Sequence, residues 1–90
     1  MTYVIRKKRS ESMDRYFCDT VELRKAMADV GLVKIKDLSE KSGVNRNTLG
    51  KILNNEELPS AAVMYKLAPA LKLTPTRAGE IFFASNLRNT

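Results

Sequence analysis

Ninety residues, 43% hydrophobic and 7% aromatic with no tryptophan, suffice for one domain around a modest aliphatic core. With no histidine and a single cysteine, Cys18, an internal disulfide, a Cys/His metal site and His-based general-base catalysis are all excluded. The charge of +6 is uneven: residues 1–51 hold 12 Lys and Arg against 7 Asp and Glu, residues 52–90 only 4 against 3, and a basic half is the footprint of a phosphate-backbone binder.

In chain order, Tyr3-Val4-Ile5 is a short β-prone run followed by the basic cluster Arg6-Lys7-Lys8-Arg9. Ser10 to Asp14 breaks any pattern, and Met13, Tyr16 and Phe17 are apolar enough to pack on a core. Residues 1–18 therefore read as a partly ordered basic extension ahead of a domain over 19–84, with a frayed tail from 85 to 90. Asp19 and Glu22, three apart, fit a capping box that opens a helix at Thr20. Leu23, Ala26, Met27 and Val30 give it one apolar face, and Gly31 ends it. A second helix is predicted over Ile35–Ser42, with Ile35, Leu38 and Ser39 on one side and charges on the other; Gly43 closes it.

Val44 follows as an apolar plug, and Asn45 caps a third helix that turns Leu49, Ile52 and Leu53 inward before Asn54-Asn55 stops it. Pro59-Ser60 opens a fourth helix with Val63, Leu67 and Leu71 at intervals of four. Pro69 inside it should kink or break it, costing about 3 kcal/mol if uncompensated. Thr74-Pro75 starts a fifth helix carrying Ala78, Ile81 and Phe82. Phe82 and Phe83 are adjacent and cannot face one core together, so one of them, or Leu87, is expected in an exposed patch that serves a dimer. The chain thus reads as all-α, a compact bundle of five short helices.

The stretch Leu38 to Asn55 carries the most information. Two short helices joined by a glycine turn, with a small residue (Ser39) at their approach and a polar outer face on the second, make a helix-turn-helix. With the following Leu58-Pro59-Ser60 and Lys66 to Leu73, it resembles the Cro/phage-repressor (XRE-type) helix-turn-helix family over about residues 20–83. That resemblance implies a lambda-repressor-like fold and a sequence-specific regulator of duplex DNA, in the manner of a phage or mobile-element repressor. It implies a homodimer on an operator, a bacterial or phage origin with a cytoplasmic location, no cofactor and no evident small-molecule effector.

By position, the resemblance puts Arg46, Asn47, Gly50 and Lys51 against base edges and Thr48 at the groove rim, with Asn45 as cap and phosphate contact. The chemistry agrees: Arg bonds guanine bidentately, Asn does the same to adenine, and Lys reaches guanine or phosphate. Further phosphate contacts are expected from Lys34, Lys36, Asn54 and Asn55. Arg6, Lys7, Lys8 and Arg9 are expected to form an arm along the backbone or in the minor groove, although Tyr3-Val4-Ile5 offers pairing with a second copy instead.

Three departures stand out. Many family members pair an Arg in the first helix with a Glu late in the third, where this chain has Met27 and Leu53. Replacing both halves of a buried pair by hydrophobes is often neutral or stabilising. The usual Thr/Ser-Gln start of the second helix is Lys34-Ile35 here, after a loop one residue longer. The loop beyond the third helix is acidic, Glu56-Glu57, where basic residues are common. The alternative reading is a protein-interaction module, antitoxin-like or adaptor, on the same fold. An enzyme finds no support, for there is no nucleophile–base pair and no phosphate-cradling glycine loop. No apolar run approaches the roughly 20 residues that span a bilayer, and the basic N-terminus leads into polar residues, not a leader's apolar stretch.

Overall fold

The computed structural model describes residues 16–85. Five helices follow one another: α1 (Thr20–Asp29), α2 (Ile35–Ser42), α3 (Arg46–Leu53), α4 (Ala61–Ala70) and α5 (Pro75–Phe82). Local chemistry explains the starts. Asp19, Asn45, Ser60 and Thr74 each accept a hydrogen bond from a backbone N–H in the first turn of the helix they precede. Only α2 lacks such a side-chain cap, since Lys34 has no acceptor to offer. The expected capping box is half made. Asp19 accepts from the Glu22 N–H at 3.1 Å, but its own N–H donates to the Ile81 carbonyl at 2.7 Å, while the Glu22 carboxylate turns to Arg77.

The helix ends are equally local. Gly31, Asn55 and Lys72 adopt positive φ just after α1, α3 and α4. In each case the next N–H returns to a carbonyl of the last turn, from Leu32 to Met27, Glu56 to Lys51 and Leu73 to Ala68. Pro69 therefore does not kink α4 midway. It is the penultimate helical residue, and the break expected there coincides with the helix end.

The helices enclose one core. Leu23, Ala26 and Met27 from α1 meet Leu38 from α2, Leu49, Ile52 and Leu53 from α3, Leu67 and Ala70 from α4, and Ile81 and Phe82 from α5. α2 packs on α3 and α4, and α1 on α3 and α5. Glu22 bridges α1 to α5 through Arg77 and also holds Lys25 at 3.2 Å. Those two cations keep the Glu22 carboxyl below its ordinary range, chiefly through the Arg77 hydrogen bond.

The helices are joined by a feature that was not expected. Tyr16–Phe17 (β1) pairs antiparallel with Ala84–Ser85 (β2), Tyr16 opposite Ser85 and Phe17 opposite Ala84. The sequence reading grouped residues 16–18 with the extension and Ser85 with the tail. The pairing instead fastens both to the bundle, and Cys18 lies in the core. Burial, and then the Asp19 charge, push the Cys18 thiol up to about 11, so it stays protonated and inert at neutral pH. Phe82 is buried and Phe83 half exposed, as their adjacency requires; the Phe83 ring lies 5.0 Å from that of Tyr16.

Candidate nucleic-acid interface

The turn between α2 and α3 is held by more than its glycine. Gly43 takes φ 81°, and its N–H closes α2 on the Ser39 carbonyl. The Ser39 hydroxyl donates to the Val44 carbonyl at 2.6 Å. Ser42 donates to the Leu38 carbonyl at 2.7 Å and accepts from the Val44 N–H at 3.1 Å. Val44 is thereby pinned into the core at 4% exposure, which fixes where α3 begins. Sequence reading valued Ser39 for its size; its hydrogen bond, and the part played by Ser42, were missed.

Asn45 then opens α3, its side chain accepting from the Asn47 N–H at 2.7 Å. Leu49, Ile52 and Leu53 are buried to 4% exposure or less. Arg46, Asn47 and Lys51 are exposed, and Thr48 and Gly50 are half buried. Positions 46 and 47 form one adjacent pair and 50 and 51 another, one helical turn further on, so the four make one broad stripe turned away from the buried face. Among the described residues Gly50 has no packing partner to justify it: a Cβ there would meet nothing within 4 Å. α3 contains no acidic residue. Asn54 and Asn55 are exposed at its exit, followed by exposed Glu56 and Glu57.

Two further expected contacts belong to α2 and its start. Lys34 is exposed at the uncapped start of α2. Lys36 makes a loose, exposed ion pair with Glu40 at 3.9 Å. Arg6, Lys7, Lys8 and Arg9, together with Tyr3-Val4-Ile5, Met13 and Leu87, lie outside the described residues. Met27 and Leu53 are both buried in the core where α1 meets α3. A contact that sequence reading did not foresee joins the same two helices: the Arg24 guanidinium donates to the Leu53 carbonyl at 3.5 Å. Among the described residues no cluster of side chains could hold a metal ion, and no helix is long and apolar enough to cross a membrane.

Two short helices locked by a serine-braced turn, the second with a fixed inner face and a cationic, amide-bearing outer one, define a helix-turn-helix domain. The chain matches the model of the Cro/C1-type HTH DNA-binding domain over residues 22–77, well over half its length, and belongs to that family. No curated protein and no solved structure matches it significantly.

Proposed function

We propose that this DNA-binding protein is a sequence-specific transcription regulator, a repressor of phage or mobile-element type, that places α3 in the major groove of its operator. The observation that carries the reading is the stripe Arg46, Asn47, Gly50 and Lys51, on a helix whose opposite face is locked into the core. Arg46 and Asn47 read bases, Lys51 reaches guanine or phosphate, and Gly50 lets the backbone come close to the base edges. Asn45, Thr48, Asn54, Asn55, Lys34 and Lys36 meet phosphates, and the Arg6–Arg9 arm adds salt-dependent affinity. The protein works in the cytoplasm on the nucleoid, as a binder without cofactor or catalysis.

The test is selection of bound sequences from a random pool of duplexes by the purified protein at physiological salt. The expected product is a near-palindrome with half-sites about 34 Å apart. Recovery of no preferred sequence would favour the protein-interaction reading.

Gly50→Ala separates two effects on one residue. The free protein should gain up to about 1 kcal/mol, because Ala is the better helix former and its methyl meets open space. Binding to the selected site should nevertheless weaken. Thermal denaturation and a gel shift on the same variant check both signs; a more stable variant that binds equally well would remove the close approach from the reading.

The homodimer belongs to the same proposal. α4 and α5 enclose an apolar groove of about 340 Å³ lined by Met64, Ala68, Ala78 and Phe82, with Tyr65 and Phe83 at its edge. Tyr65 is 81% exposed and Phe83 50%, so one face offers both a cleft and the rings to fill it, as an isologous contact requires. Among the described residues no charged one lines the groove, and the later half of the chain carries little of the +6. Two copies joined here keep their cationic halves apart. Tyr65→Arg should shift the protein toward a folded monomer in sedimentation equilibrium, with its helical circular dichroism retained and its melting temperature no longer dependent on protein concentration; an unchanged dimer would place the interface elsewhere.

A further inference from the structure

The loop after α3 is negative: Glu56 and Glu57 are exposed where a strand of phosphates would pass if α3 lay in a major groove. Positive charge reaches that end of the helix from α1 instead. Arg24 is exposed on α1, and its Nη2 donates to the carbonyl of Leu53, the last residue of α3. Lys25 and Arg77 are each held by a carboxylate, whereas Arg24 meets none among the described residues. A guanidinium carries five N–H donors in a rigid fork. The bond to Leu53 uses one and leaves the others at the helix end closed by Asn54 and Asn55.

We propose that Arg24 is a DNA-backbone ligand, seated on the C-terminal carbonyl of α3 and presenting the rest of its guanidinium to a phosphate beside the groove that α3 occupies. This rests on the reading of α3 as the recognition helix. The carbonyl end of a helix carries partial negative charge and so retains a cation. A side chain already held there loses less rotamer freedom when the phosphate arrives. The planar fork can serve carbonyl and phosphate together. Arg24 thus supplies at the exit of α3 the charge that Glu56 and Glu57 deny it.

The experiment measures affinity against salt for Arg24→Met, Arg24→Lys and Lys66→Met, on a mixed-sequence duplex and on the selected site. Circular dichroism establishes that each variant is folded. Arg24→Met should lower the slope of log K against log salt by about 0.9 with base preference intact, so that going from about 50 to 200 mM salt costs it roughly 3.5-fold less affinity than wild type. Arg24→Lys, which keeps the charge, should retain the wild-type slope. Lys66→Met removes an equal charge from α4 and should leave the slope unchanged. An unaltered slope in Arg24→Met, whatever its affinity, overturns the proposal, because a merely structural bond to Leu53 releases no counterions. Equal slope losses in Arg24→Met and Lys66→Met overturn it too, as the effect of overall charge. Failure of the recognition-helix reading is seen separately, as Arg46→Ala leaving base preference untouched.

Discussion

Arg46→Ala is expected to weaken binding to the selected site by about 1–3 kcal/mol, roughly 5- to 150-fold, with the loss concentrated at one base position of each half-site. Arg46 is the first residue of α3, exposed and without a carboxylate partner among the described residues. The N-terminal residues of a recognition helix are the ones that reach base edges. A bidentate bond to guanine O6 and N7 is lost with the guanidinium, and its loss removes the distinction from the other bases. Binding to mixed-sequence DNA should fall far less. Lys7→Ala should show the reverse pattern: weaker binding to every sequence and a salt slope smaller by about 0.9. Titrations of both variants against the selected site and its single-base substitutions check the contrast. If Arg46→Ala changes neither affinity nor base preference, the outer face of α3 is not the reading face.

Leu53→Glu is expected to be the most damaging single substitution, costing about 3–5 kcal/mol by burying a carboxylate without a partner. Leu53 is 4% exposed and Met27 1%, so neither side offers water to a charge. A domain of this size has a total stability of about 4–14 kcal/mol at the usual ~0.05–0.15 kcal/mol per residue, and the variant should melt far lower or fail to fold. Adding Met27→Arg supplies the partner and should return part of the loss, with a coupling of about 0.5–3 kcal/mol between the two sites. Urea denaturation of the wild type, both single variants and the double variant completes the cycle. A double variant less stable than Leu53→Glu alone would mean that positions 27 and 53 do not face each other across α1 and α3.

Much of the fold was legible because its signals are local. Asp19, Asn45, Ser60 and Thr74 mark helix starts through side-chain oxygens that bond N–H groups two or three residues on. Gly31, Gly43 and Asn55 mark helix ends because left-handed backbone suits few other residues. The spacing of Leu49, Ile52 and Leu53 turned one side of α3 inward, leaving its outer stripe defined by elimination. The contacts that escaped sequence reading join distant positions. Arg24 meets Leu53 across 29 residues and Arg77 meets Glu22 across 55, and in the sequence all these charges resemble ordinary surface residues. β1 and β2 are two residues each, too short for any periodicity.

By itself, then, the sequence determined the five helices, their order and the division of α3 into a buried and an exposed face. Capping chemistry and apolar spacing act over a single turn, and that much physics lies within a short stretch of chain. Only the tertiary structure decided what steadies α3. The two serines around Val44, the burial of Met27 and Leu53 between helices, the reach of Arg24 to the last carbonyl of α3 and the strand pair that draws Phe17 to Ala84 all depend on which elements meet. A hydrogen bond or a packed methyl has a range of a few ångströms, so its partner is named by the fold and not by the neighbours in sequence.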